Sequence, residues 1–310
     1  MEESVNTNRR QWIRTAVVGS AAIGLPQWLG ANSEWSADKE LVILHTNDWH
    51  SRIDPFPEDD PKFPGQGGAA RRMALIERIR NERNPVLLVD AGDMVQGTPY
   101  FNYYQGKPEM ELMNAMGYEA VTLGNHDFDN GVEGLKRMIA WAKFPFVNCN
   151  YGWGDTGLEK GVRPSVVIHK GRLKIGILGV GIDLKPLLPA ENIKGIHYND
   201  PIECANNEAK RLKENRGCDL VLCLSHLGYR YDDTKVSDRV LASKSRNIDL
   251  ILGGHTHTFL EKPELIANLD GNLVAVNQVG WAGLRLGRIN TRFSSSNNTK
   301  NLHTSHIEVF

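Results

Sequence analysis

The chain has 310 residues, of which 41% are hydrophobic and 24% charged, enough for one large globular domain or two small ones with a real core. A formal charge of −1 and the lack of any long Lys/Arg run exclude a general nucleic-acid binder. Four cysteines, Cys149, Cys204, Cys218 and Cys223, are too few for a disulfide scaffold and match no zinc spacing, so they read as buried free thiols, with a Cys218–Cys223 bridge left open.

At the N-terminus, Asn8-Arg9-Arg10-Gln11-Trp12-Ile13-Arg14 precedes a short apolar stretch over 15–25. That order resembles a twin-arginine export signal, an address read by a translocase and not an anchor. The stretch is too short to span a bilayer comfortably. Residues 1–37 are therefore expected to be removed on export to the periplasm, with no stable membrane insertion.

Apolar runs and helical repeats then alternate. The run 41–44 reads as a buried strand and ends in Asn47-Asp48-Trp49-His50. Residues 54–68 hold four prolines and four acidic residues and read as a loop, a rim or lid. Met73, Ile76 and Ile79 mark a helix, and a second strand over 86–89 leads to Gly92-Asp93. The aromatic run Tyr100-Phe101-Asn102-Tyr103-Tyr104 is expected to pack over the next helix, marked by Met110, Met113 and Met116 and capped at Gly117. A strand over 120–123 ends in Gly124-Asn125-His126-Asp127, before a helix marked by Val132, Leu135, Met138 and Ile139. A hairpin follows, 166–169 and 174–178 around Lys170-Gly171, and then a helix through Ile202, Ala205, Ala209 and Leu212. Strands at 220–224 and 250–252 end in Ser225-His226 and in Gly253-Gly254-His255-Thr256-His257. Further strands at 274–279 and 284–289 precede a tail, 294–310, that is a frayed end or a late edge strand. The surplus of strands toward the end favours a mixed α/β sandwich over a doubly wound sheet.

Polar groups just past several strands gather at one edge of a sheet, where ligands usually bind. Asp, His and Asn together, without cysteine, suit divalent metals held through oxygen and imidazole nitrogen. Asp48 and His50 are two apart, which in an extended chain puts both on one face. The two oxygens of Asp93 allow it to bridge two ions. The Asn125 amide oxygen can ligate while His126 points elsewhere, free for acid–base work with Asp129 holding its ring. The plainer alternative for Asn125-His126-Asp127 is a polar turn capping the following helix. His255 and His257 repeat the two-apart spacing after paired glycines, whereas His226 alone reads as a satisfied core histidine.

In order, Asp-x-His, Gly-Asp, Gly-Asn-His-Asp, His and Gly-His-x-His resemble the calcineurin-like metallophosphoesterase superfamily. Gly67-Gly68-Ala69-Ala70-Arg71-Arg72, Gly92-Asp93-Met94-Val95-Gln96-Gly97-Thr98-Pro99 and Gly124-Asn125-His126-Asp127-Phe128-Asp129 look like its 5'-nucleotidase branch. The resemblance implies an α/β fold, a four-layer β-sandwich of mixed sheets flanked by α-helices, in a catalytic domain over 38–293. It implies two divalent ions, Mn, Zn or Fe: Asp48, His50 and His257 on one, Asn125, His226 and His255 on the other, Asp93 bridging. His126 and Asp129 would be the catalytic dyad. The implied activity is 5'-nucleotidase-type hydrolysis of nucleotide phosphomonoesters by a metal-bridging hydroxide. The same ligands would serve a 2',3'-cyclic phosphodiesterase, a nucleotide-sugar hydrolase or a sulfur-ester hydrolase. Full-length members carry a second domain that clamps the nucleoside base, which a chain of this length is expected to lack. That leaves a catalytic subunit dependent on a separately encoded base-binding partner as a further reading, which an exposed apolar patch near Trp281 would favour.

Overall fold

The computed structural model describes residues 40–82, 85–293 and 300–309. The twin-arginine stretch and the Ser/Asn-rich segment 294–298 lie outside the described residues. The chain runs through β1 (Glu40–Thr46), α1 (Ala69–Arg80), β2 (Val86–Asp90), α2 (Pro99–Tyr104), α3 (Lys107–Met116), β3 (Ala120–Val121) and α4 (Gly131–Trp141). Short strands β4 (Phe146–Val147), β5 (Tyr151–Gly152) and β6 (Val162–Arg163) lead to the hairpin β7 (Ser165–Lys170) and β8 (Leu173–Gly181). Then come β9 (His197–Tyr198), α5 (Pro201–Lys210), β10 (Leu220–His226), α6 (Asp238–Lys244) and β11 (Leu250–Gly253). The remaining strands are β12 (Glu264–Ala267), β13 (Leu273–Asn277), β14 (Arg285–Phe293) and β15 (Lys300–Glu308).

Two mixed sheets form, ordered β15-β14-β1-β2-β3-β4-β6 and β12-β13-β11-β10-β8-β7. Their central strands are parallel, and antiparallel strands flank them. Parallel strands covered on both faces must be apolar on both, which is why β2 and β10 are buried along their whole length. Leu41, Ile43, Leu87 and Val89 of one sheet pack against Ile177, Leu222, Leu224 and Leu252 of the other. The outer face of the first sheet carries α1, α3 and α4 through Ile76, Met110, Met113, Leu135 and Met138. The outer face of the second carries α5 and α6 through Ala205, Ala209 and Leu241. The result is the expected four layers.

Local chemistry sets the helix ends. Gly117 closes α3 in the left-handed region, φ 72°. Asp200 caps α5 by accepting from the amides of Ile202 and Glu203, ahead of Pro201 in the first turn. Two expectations shift, and one of the two readings of the tail is decided. The hairpin turn is Gly171-Arg172, because Lys170 still pairs with Leu173. The tail supplies the edge strand β15 along β14. Of the aromatic run, Phe101 joins the core into which α3 packs, whereas Tyr103 and Tyr104 project outward. All four cysteines are free, and Cys218 and Cys223 are buried. No helix among the described residues is long and apolar enough to cross a membrane.

Candidate metal centre

The turns after β1, β2 and β11 and the last residue of β10 converge at one end of the sandwich. Asp48, His50 and His257 form one group of potential ligands, and Asp93, His226 and His255 a second. Asp48 Oδ1 lies 3.4 Å from His257 Nε2 and 3.9 Å from both His50 Nε2 and His226 Nε2. Asp93 Oδ2 lies 3.1 Å from His226 Nε2 and 3.9 Å from His50 Nε2, so this carboxylate faces both groups. The Asn125 amide oxygen sits 2.8 Å from His255 Nδ1, beside the second group.

Convergence comes from turns, not from strand alternation. Asp48 and His50 have φ of 51° and 52°, and His255 and His257 have 74° and 52°. An extended Asp-x-His would put both side chains on one face. Here a left-handed backbone rolls each pair inward instead, and His255 and His257 end in different groups. Asp93, at φ 56°, is also left-handed, a conformation that costs a residue with a Cβ about 1–3 kcal/mol. Gly92 permits a close approach: a Cβ there would lie 2.4 Å from the Gly124 amide nitrogen. The turns bearing Asp93 and Asn125 thus touch through bare backbone.

The donor set fits a pair of divalent cations. His226 Nδ1 donates to the Ala91 carbonyl at 2.7 Å, which leaves Nε2 facing the Asp93 carboxylate 3.1 Å away. That Nε2 is buried and has no hydrogen-bond partner. His50 Nδ1 lies 3.1 Å from the Gln96 carbonyl, and its Nε2 lies 2.9 Å from His257 Nε2. Imidazole nitrogens gathered beside the Asp48 carboxylate are the donor types a divalent ion takes. Burial works to lower the pKa of His226, yet the Asp93 and Asp48 carboxylates push it up to about 10. Asp93 likewise resists burial, and His226 and His50 hold its carboxyl below the usual carboxylate range. Nitrogen and oxygen donors without sulfur suit Mn, Zn or Fe.

His126 belongs to neither group. Its Nδ1 is 2.9 Å from Asp129 Oδ2, its amide donates to Asp93 Oδ1 at 2.8 Å, and its ring centroid lies 5.3 Å from that of His50. The Asp129 hydrogen bond raises the pKa of His126.

The calcineurin-like phosphoesterase family model matches residues 41–259, from β1 through the His255–His257 turn. The chain belongs to this family. Among phosphoesterase relatives, the snake venom 5'-nucleotidase of Crotalus adamanteus is 34% identical over 279 residues, 84% of this chain and 46% of the relative. The Homo sapiens 5'-nucleotidase is 33% identical over 309 residues, covering 92% of this chain and 51% of its own. The chain spans about half the length of these curated relatives. The 5'-nucleotidase precursor from Thermus thermophilus superposes with a TM-score of 0.79 at 28% identity, covering 87% of this chain and 54% of that one. This phosphoesterase fold is therefore shared with nucleotidase structures in its mixed sheets and flanking helices.

Several residues around the centre escape the sequence reading. Asp127, buried and pushed up to about 8 by burial and by Asp93, accepts the amides of Asp93, Met94 and Gly124 and so ties two ligand turns together. Arg72 is buried with its guanidinium 4.1 Å from the Trp49 ring, directly behind the Asp48–His50 turn. Trp281 stacks on His257 with ring centroids 5.5 Å apart and a 6° tilt, and packs on Phe56 of the 54–68 loop. It is half-buried as part of the rim and does not form the exposed apolar patch that would favour a partner subunit. Strand-end position marks Asp127 in the sequence; nothing marks a buried arginine.

Proposed function

We propose that the chain is an exported two-metal phosphohydrolase acting on nucleotide phosphomonoesters. The observation that carries this reading is the joining of two ligand groups by Asp93 and Asp48, with the His126–Asp129 pair outside both. Asp48, His50 and His257 would hold one ion, Asn125, His226 and His255 the other, and Asp93 both. Two such ions, when bound, neutralise phosphoryl oxygens and lower the pKa of water.

The chain's own residues supply the rest. Asp129 orients the His126 ring through Nδ1 and stabilises the imidazolium. The far side of that ring is then a proton source for the leaving oxygen and a positive group against the charge that builds on the phosphoryl oxygens in the transition state. The half-exposed position of His126 beside His50 leaves it open to substrate. Export is supported by the paired Arg9-Arg10 ahead of an apolar stretch.

A substrate panel on the metal-loaded mature protein tests the reading. Phosphate release from AMP, abolished by a chelator and by Asp93→Ala, is expected. Faster turnover of a 2',3'-cyclic nucleotide, a nucleotide sugar or a sulfur ester would replace the substrate class. No turnover of any phosphoester with Mn, Zn or Fe would sink the proposal.

A further inference from the structure

The four histidines of the metal centre are not held alike. Three have a polar partner at Nδ1: the Ala91 carbonyl for His226, the Gln96 carbonyl for His50 and the amide oxygen of Asn125 for His255. Carbonyl partners like those of His226 and His50 fix the ring of a metal-binding histidine, and losing such a contact costs about 10–100-fold in affinity. His257 has none. Among the described residues no hydrogen bond reaches its Nδ1, and 38% of its side chain is exposed, against 8% for His50 and 0% for His226.

Trp281 stands where that partner would be. Its ring lies flat on His257, meets the His50 ring edge-on with centroids 6.4 Å apart, and is backed by Phe56 at 5.9 Å. The backbone that carries the indole is tied to both ligand turns. The Ala282 amide donates to the Asp48 carbonyl at 2.7 Å and the Gly280 amide to the Thr258 carbonyl at 2.9 Å. Asn47 Nδ2 donates to the Gly280 carbonyl at 2.5 Å. Buried Gln278 donates to the Gly254 carbonyl and accepts the Thr258 amide, both at 2.5 Å. Trp281 is thus mounted between two left-handed residues, Gly280 and Ala282, at φ 79° and 57°.

Stacking acts on His257 in two ways. A ring locked by packing has less freedom to lose when it takes an ion. The indole face is also the negative side of a quadrupole, so it favours an imidazole that has given electron density to a cation over a free one. We infer that Trp281 is the positioning residue for His257, and that the ion position of Asp48, His50 and His257 depends on it while that of Asn125, His226 and His255 does not. The inference rests on the two-metal reading above. The first position, closed by a half-exposed histidine, is then the more easily emptied of the two.

Mn²⁺ binding to the full chain tests this without turnover, by titration calorimetry and by electron paramagnetic resonance, which separates a coupled pair of ions from a single one. Wild type should take two Mn²⁺ ions of unequal affinity. Trp281→Ala should weaken the weaker one about 10–100-fold and leave the tighter one unchanged. At Mn²⁺ levels that fill both positions of wild type, its coupled signal should give way to that of an isolated ion, with the urea midpoint held. Trp281→Phe, which keeps a ring face, should recover most of the loss, and Trp281→Leu, which keeps bulk alone, should not. Equal losses at both positions, or a loss that tracks a lowered urea midpoint, would make Trp281 a piece of the fold and overturn the inference. Wild-type affinities in the alanine or the leucine variant would overturn it too, and AMP hydrolysis in that protein would leave the phosphohydrolase reading standing. Trp281-dependent binding of the second Mn²⁺ in a protein that hydrolyses no phosphoester would keep the inference and overturn that reading. Fewer than two Mn²⁺ ions on wild type would overturn both.

Discussion

His126 Nδ1 and Asp129 Oδ2 stand 2.9 Å apart across a single 3-10 turn, and both side chains keep some contact with solvent. The hydrogen bond to Asp129 favours the charged imidazole, so His126 holds its proton to higher pH than a free histidine does. If the protonated ring is the active form, rate is lost as pH rises through that raised pKa. Asp129→Asn removes the raising partner, and the alkaline limb of the kcat profile should move to lower pH. A normal rate with an unmoved limb would reduce Asp129 to a turn-forming residue.

Asp93 and His126 should separate metal binding from turnover. Asp93 faces both ligand groups, whereas His126 touches the centre only through its backbone amide and its ring edge. Asp93→Ala should therefore lose metal and all activity. His126→Ala should keep its metal and lose roughly 10²–10⁴ in kcat. Elemental analysis of the two purified variants decides it, since equal metal loss in both would refute the division of labour.

Gly92→Ala should separate the two turns that meet at Gly124. Its φ of 90° already disfavours a side chain, and the new Cβ would sit 2.4 Å from a backbone nitrogen that cannot swing away. Overpacking of this kind costs about 1–3 kcal/mol. The expected result is a lowered urea midpoint together with reduced metal content, because Asp93 and Asn125 no longer face each other. A stable, fully loaded Gly92→Ala protein would show that the turns have slack.

Trp49 sits between two candidate ligands with 1% of its surface exposed, Arg72 against its ring and its Nε1 donating to the Arg52 carbonyl at 2.6 Å. Trp49→Ala should cost about 3–5 kcal/mol in equilibrium unfolding. The loss should exceed that of Trp49→Phe, which keeps an aromatic face for the guanidinium. Equal melting of the two variants would mean that Arg72 does not use the ring.

Much of this architecture is legible in the chain because its central strands are parallel and doubly covered. Runs such as Val86-Leu87-Leu88-Val89 have no polar face to blur them, and the fold places whatever follows them at one edge. The elements that stay hidden are short or half-exposed. Strand β12 spans four residues with alternating exposure, and α6 is only seven residues long. At the site, the order of motifs singles out Asp48, His50, Asp93, Asn125, His226, His255 and His257, side chains that the fold gathers at one end of the sandwich. What spacing does not carry is conformation, since a left-handed Asp or His looks like any other. Arg72 is hidden for the opposite reason: arginine is almost always exposed, and only a tertiary contact with Trp49 shows it inside.

The left-handed backbone at Asp48, His50, Asp93, His255 and His257 has a consequence for engineering. A redesign that scored each position for folding alone would place glycine at all five, because glycine accepts those dihedral angles freely. Each exchange would remove a side chain that points into the centre. A scheme that optimises backbone strain alone would thus remove the site's side chains while it stabilised the fold.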